Sequence, residues 1–114
     1  LKQSVILFKA LADKNRIRIL KMLEKRSLCV CEITAILGLA VSTTSKHLSI
    51  LKDAKLIFEQ KEGKWVNYHL NKTTQNKYAR EALTLIKTWM NEDDIIQKDL
   101  VKIDQVNRID LCKG

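Results

Sequence analysis

The sequence predicts a mainly α-helical domain with one small β-hairpin, and three observations carry that prediction. Apolar residues recur at helical spacing through most of the chain. Two runs, Leu56-Ile57-Phe58-Glu59-Gln60-Lys61 and Trp65-Val66-Asn67-Tyr68-His69-Leu70, read instead as strands around Glu62-Gly63-Lys64. The chain has 114 residues and no proline, enough for one domain with a modest core and no helix broken from within. On size alone a dimer is a reasonable way to complete that core.

From the N-terminus, Leu1, Val5, Phe8 and Ala12 give a first helix with one apolar face. Asp13 is placed to cap a second, whose buried stripe is drawn from Ile17, Ile19, Leu20 and Leu23. Its other face carries Lys14, Arg18, Lys21 and Lys25 and reads as solvated. A third, short helix spans about Val30 to Leu37, with Ile33, Ile36 and Leu37 inward and Gly38 ending it. A fourth spans about Ser42 to Ala54, capped by Ser42, with Thr44, Leu48 and Leu51 on one side and Ser42, Thr43 and Lys46 on the other. Two short helices joined by a glycine-containing turn, the second small-polar and basic on its outer face, have the form of a helix-turn-helix. The hairpin that follows is a wing, closed by a short glycine-containing loop.

A longer helix begins near Thr74 and keeps its spacing through Ala79, Ala82, Leu83, Ile86, Trp89 and Met90. Asn91 to Asp94 interrupts the pattern and Ile96, Leu100 and Ile103 resume it, which fits either a continued helix or a new one. The expected organisation is a winged helix-turn-helix and dimerisation domain over residues 1–90 and a helical tail over 91–114.

The formal charge is +8 and uneven: residues 1–80 hold 16 Lys and Arg against 6 Asp and Glu, whereas 81–114 hold 5 against 7. The basic part coincides with the helix-turn-helix, which favours double-stranded DNA as partner, although basic surfaces also serve solubility. Three cysteines, two of them one residue apart, do not make a disulfide framework, and no apolar run approaches the length of a membrane span. A soluble cytoplasmic protein, with no membrane partner, is expected. An enzyme is not: Cys29-Val30-Cys31 lacks the Cys-x-x-Cys form of a thioredoxin-like site, no βαβ pattern surrounds it, and no glycine loop is built to cradle phosphate.

Cys29 and Cys31 lie just ahead of the helix-turn-helix at a spacing suited to a soft ion, since thiolates prefer thiophilic ions to Mg²⁺ or Ca²⁺. Within an unbroken helix residues i and i+2 point about 200° apart, so sharing one ion would require the helix start to unwind. Read as structure alone, the two are small buried apolar residues.

Taken together, Leu7-Phe8-Lys9-Ala10-Leu11-Ala12-Asp13, Asn15-Arg16-Ile17-Arg18-Ile19-Leu20, Leu28-Cys29-Val30-Cys31-Glu32-Ile33, Ser42-Thr43-Thr44-Ser45-Lys46-His47-Leu48 and Gly63-Lys64-Trp65-Val66-Asn67-Tyr68 resemble the ArsR/SmtB family of metal-responsive repressors. The resemblance covers roughly residues 5–71. It implies a homodimer, joined through its first and last helices, that binds an inverted-repeat operator in the apo state and releases it when an inducer binds. The apolar faces of residues 1–12 and 78–90 suit that interface. It also implies an inducer site at Cys29 and Cys31, for As(III) or a related soft ion such as Sb(III), Cd²⁺ or Pb²⁺, with no ion required by the apo fold.

The chain departs from the family at several places. The arsenic-sensing pattern often has a third cysteine where this chain has Thr34, leaving Cys112 as a candidate third thiolate against its reading as a free thiol in a tail. The cadmium/lead pattern draws cysteines from an N-terminal extension, and none precedes Cys29 from Leu1 onward. A zinc site on the last helix is not expected, because residues 76–97 contain no His. Ala40-Val41 replaces a common Ser-Gln pair, so operator sequence does not carry over from relatives. On DNA, Ser42, Thr43, Lys46 and His47 are expected at the groove, Lys61 and Lys64 at phosphates beside the wing, and His69 in a structural role. A redox or persulfide sensor, with Cys29 or Cys31 pairing to Cys112, and a DNA binder with inert cysteines are the alternatives on the same fold.

Overall fold

The computed structural model of the protein describes residues 1–111. It opens with α1 (Lys2–Leu11) and α2 (Lys14–Lys25). Asp13 caps α2 as expected, its carboxylate accepting from the N–H groups of Asn15 at 2.8 Å and Arg16 at 3.2 Å. Burial opposes that charge, but the two N–H donors together with the nearby Arg16 charge hold the Asp13 pKa below the usual carboxylate value. The stripe expected on α1 is not its core side. Leu7 and Ala10 are buried, whereas Val5 and Phe8 remain 41% and 68% exposed. This helix has apolar residues on two sides, and periodicity alone does not say which meets its own chain.

The sequence reading missed β1 (Leu28–Cys29), which is too short to show alternation. It pairs antiparallel with β3 (Trp65–Leu70), Leu28 opposite Tyr68 and Cys29 opposite Asn67, so the sheet has three strands in the order β1-β3-β2. β2 (Ile57–Glu62) and β3 form the wing, closing at the Glu62–Trp65 pair with Gly63 at φ +66 in the connection. A positive φ there is what a two-residue hairpin loop demands.

Between β1 and the wing lie α3 (Val30–Leu37) and α4 (Val41–Asp53). Gly38, at φ +70, supplies the left-handed residue that ends α3. The expected cap of α4 is corrected: Ala40, not Ser42, is the N-cap, and no side chain caps this helix. The helix starts early because the Ala40 carbonyl already accepts from the Thr44 N–H at 3.0 Å and from the Thr44 hydroxyl at 3.2 Å. Ile33, Ile36, Leu48, Leu51, Leu56 and Ile57 are buried together with the apolar stripe of α2.

α5 (Lys77–Thr88) begins later than Thr74 because Asn76 caps it, accepting from the Ala79 N–H at 3.0 Å. It also ends before Trp89 and Met90, where the chain turns extended and then adopts φ +63. The segment after Asn91 forms a new helix, α6 (Asp94–Gln105), capped by Asp93, followed by α7 (Arg108–Leu111). α6 packs on α2 and α3 and buries Ile96 and Ile103.

That packing corrects the solvated reading of α2 at Arg18 and Lys21, while Lys14 and Lys25 stay exposed. Arg18 makes a two-point contact with buried Asp99, at 2.8 and 2.9 Å, and Lys25 reaches Asp104 at 3.0 Å. Lys21 is 3% exposed, with its ammonium on the Ile86 carbonyl at 2.9 Å, Asn91 Oδ1 at 2.8 Å and Glu24 at 2.8 Å. The acidic residues of the C-terminal third supply two of these carboxylates, and that charge asymmetry was the available signal. Among the described residues no helix is long and apolar enough to cross a membrane.

Candidate functional site

The start of α3 is held by several polar contacts. Cys29 is its N-cap, 3% exposed, on extended backbone with φ −87 and ψ 167. Glu32, three residues on, completes a capping box: its Oε1 accepts from the Cys29 N–H at 3.0 Å while the Cys29 sulfur covers the Glu32 N–H. Only Cys31 lies within the helix, so the 200° separation expected for two helical side chains does not apply to this pair. Burial, reinforced by the Glu32 charge, pushes the Cys29 thiol above its usual pKa despite the nearby N–H groups of Glu32 and Cys31. Cys31 is half-buried and disulfide-bonded, and Cys29 is free. Cys112, the expected third thiolate, lies outside the described residues.

The Glu32 carboxylate is itself 2% exposed and answered by two cations. Arg26 reaches Oε2 and Arg108 reaches Oε1, each at 3.2 Å. Burial opposes its ionisation, but the Cys29 N–H and the two guanidinium groups prevail and hold its pKa below the usual value. Arg26 also donates to the Ile103 carbonyl at 3.1 Å, and Arg108 lies 5.4 Å from the Trp65 ring centre. The α3 start is therefore wired to α2, α6, α7 and the wing. Sequence reasoning missed Arg26, Glu32 and Arg108; the Cys29-x-x-Glu32 spacing, a capping box with sulfur in place of a hydroxyl, was the one legible sign.

Cys29 and Cys31 offer soft donors, and Glu32 is already committed to two arginines, so the donor set suits a thiophilic ion when both thiols are reduced. Among the described residues no group of three or more His, Cys, Asp and Glu side chains could hold a metal ion.

The outer face of α4 carries the other expected residues. Ser42, Thr43 and Lys46 are exposed there, and Lys61 and Lys64 are exposed on the wing. His47 is half-buried at the edge of that face and accepts from Arg16 Nη1 at 3.1 Å. An ion pair between Lys52 and Glu59 fixes the end of α4 to β2. His69 stays within the wing, 2.8 Å from Glu62 and stacked on Phe58 at 5.1 Å between ring centres. Elsewhere α1 packs on α5, and Phe8, Tyr78, Leu85 and Trp89 are left 68%, 38%, 52% and 54% exposed around their groove.

The family described as "Bacterial regulatory protein, arsR family" matches residues 13–58. The chain is 39% identical over 88 residues to the arsenical resistance operon repressor of Bacillus subtilis (strain 168), covering 76% of this chain and 84% of that one. It is 35% identical over 109 residues to the arsenical resistance operon repressor of Escherichia coli (strain K12), covering 95% and 87%. Among solved structures, the homodimeric winged helix-turn-helix DNA-binding domain Mb0332 of Mycobacterium bovis superposes with a TM-score of 0.65 at 25% identity, covering 80% of this chain and 81% of that one.

Proposed function

Because the chain belongs to the arsR family of bacterial DNA-binding transcriptional regulators, not enzymes, we propose that it is a cytoplasmic repressor released from its operator by As(III). The observation that carries the ion is the pair Cys29 and Cys31 at the first turn of α3, directly ahead of α4. Cys112 is the candidate third thiolate. The repeated thiolate–As(III) bond is the chemistry this ion supplies.

The apo chain holds the start of α3 with the capping box and ties it to α2, α6, α7 and the wing through the Arg26–Glu32–Arg108 clasp. For capture Cys29 gives up its proton, which burial resists, and withdraws its sulfur from the Glu32 N–H. Loss of a cap costs about 1 kcal/mol. Moving an equilibrium from nearly all bound to nearly all released takes about 5.5 kcal/mol of differential affinity, so the cap alone is too small a lever. The Glu32 clasp must yield with it, and through Arg108 and Trp65 that change reaches the wing.

On DNA the working unit is a homodimer joined by α1 and α5, whose exposed apolar residues support that role. It meets an inverted repeat with half-sites about 34 Å apart or a multiple of that. Ser42, Thr43, Lys46 and His47 face the groove, and Lys61 and Lys64 face phosphates. The test is an As(III) titration of parent, Cys29→Ser and Cys31→Ser, under reductant, against a duplex selected by the apo protein. Both variants are expected to bind the duplex and fail to release it, because Ser keeps the size and loses the soft donor. Loss of apo binding would make the cysteines structural instead.

A second reading, thiol redox sensing, is favoured by the disulfide at Cys31 beside a free Cys29. It predicts release by an oxidant without As(III), and a titration with peroxide in place of the ion, with the reductant removed, separates the two.

A further inference from the structure

Every edge of the Arg16 guanidinium is used. Nε donates to the Ala10 carbonyl at 2.9 Å, Nη2 to the Lys9 carbonyl at 2.8 Å, and Nη1 to His47 Nδ1 at 3.1 Å. The first two bonds fall on carbonyls in the last turn of α1, where helical acceptors run out of backbone partners; that of Lys9 also takes the Ala12 N–H at 3.3 Å. The third crosses to α4, so one side chain of α2 joins the first helix to the outer face of the helix-turn-helix. Its chemistry runs one way, because a guanidinium has N–H donors, no acceptor, and does not deprotonate in proteins. Nδ1 of His47 must present its lone pair to Arg16. In a neutral imidazole the proton then sits on Nε2, the nitrogen directed away from that contact.

We propose that Arg16 is a positioning residue for DNA recognition, holding His47 as the Nε2–H tautomer so that α4 offers a fixed hydrogen-bond donor to an acceptor on the duplex. The proposal rests on the reading that the outer face of α4 meets DNA. The acceptor chemistry is a phosphate oxygen or a purine N7, both of which lie along a major groove. Without Arg16 the ring can rotate and exchange tautomers, and a ring that turns a lone pair toward such an acceptor repels it. The Lys9 and Ala10 bonds give the same guanidinium a fixed origin, so the position of α1 sets where the His47 donor points.

Long-range ¹H–¹⁵N spectra of the free protein read the ring directly. The expected result is an unprotonated Nδ1 and a protonated Nε2 at His47, with both signals moving toward a tautomeric average in Arg16→Met. A protonated Nδ1 in the parent overturns the proposal. Binding to the selected duplex supplies the second arm. Glutamine can place its amide N–H where Nε2 stood, with no need of Arg16, whereas asparagine reaches only the Nδ1 position. Arg16→Met is expected to weaken binding about tenfold, the scale of one interface hydrogen bond, and to cost little more in a His47→Gln background. An equal loss in both backgrounds assigns Arg16 to support of the fold and overturns it. Should Arg16→Met not fold, the parent spectrum and the contrast between His47→Gln, which retains binding, and His47→Asn, which loses it, still decide.

Lys46→Ala separates this idea from the reading beneath it. If Lys46→Ala leaves affinity unchanged, the placement of α4 on DNA fails; if it weakens binding while His47→Asn does not, only the present proposal fails. Duplexes carrying 7-deazapurines or methylphosphonates at the contacted step tell a base acceptor from a phosphate one, and insensitivity to both overturns it.

Discussion

The two helices of the helix-turn-helix start in opposite ways. At α3 a buried sulfur and a buried carboxylate close a capping box, and two arginines from distant parts of the chain lock the carboxylate in place. At α4 the N-cap is Ala40, no side chain covers the first turn, and Val41, Ser42 and Thr43 are exposed. The contrast matches what each end must do in a repressor. The α3 start has to hold one arrangement until an inducer changes it, so its polar groups are satisfied inside the protein. The α4 start leaves its first-turn N–H groups unclaimed by side chains, which agrees with the proposed meeting of this helix with DNA.

Breaking the tied end is expected to give the largest effect. Glu32→Ala leaves two guanidinium groups facing a hole and removes the reciprocal half of the capping box, and a loss of about 3 kcal/mol is expected, measured by urea unfolding. A loss no greater than that of a surface substitution would mean that the clasp does not hold α3.

Acid tests the same point with a known sign. Folding lowers the Glu32 pKa, so the folded chain binds fewer protons there than the unfolded one. Its contribution is complete above the ordinary carboxylate range and is lost as pH falls through the lowered value. Unfolding midpoints followed from about pH 6 to pH 3 are expected to drop less steeply in Glu32→Gln than in the parent. Parallel curves would remove Glu32 from the acid response.

At the open end and its neighbouring wing the effects are expected to be smaller. With Lys64 at a phosphate, as proposed, Lys64→Ala is expected to flatten the slope of log affinity against log salt by about one unit. The Lys64 ammonium also sits 5.0 Å from the Trp65 ring centre, so an unchanged slope would place it on that ring and not on DNA. Smallest of all, Ala40→Ser adds the missing cap to α4 and is expected to stabilise the fold by about 1 kcal/mol, read as a shift in the urea midpoint. A loss of stability would show that the early start at Ala40 depends on alanine itself.

Much of this was legible because it is local. The Asp13 cap, the Gly38 terminator, the Gly63 turn, and the inward sets Ile33-Ile36 and Thr44-Leu48-Leu51 each follow from residues within a turn or two of one another. The expected DNA face and the Cys29–Cys31 pair were likewise visible as composition and spacing. The errors at helix ends came where two local signals competed: Ser42 looked the better cap, yet the backbone closed on Ala40, and Thr74 opened a turn before Asn76 capped the helix.

What the sequence determined by itself was the winged helix-turn-helix, the order of its helices and hairpin, and the two cysteines ahead of it, since periodicity and turn chemistry act between near neighbours. Only the tertiary structure decided that α1 turns Leu7 inward and Phe8 outward, that β1 joins the wing, and that Arg18 and Lys21 meet α5, α6 and the α5–α6 link instead of water. It alone decided that Arg26 and Arg108 converge on Glu32 and that Arg16 reaches His47. Those are encounters between residues separated by up to 81 positions. A charge carries no mark in the sequence of which opposite charge the packed core will bring to it.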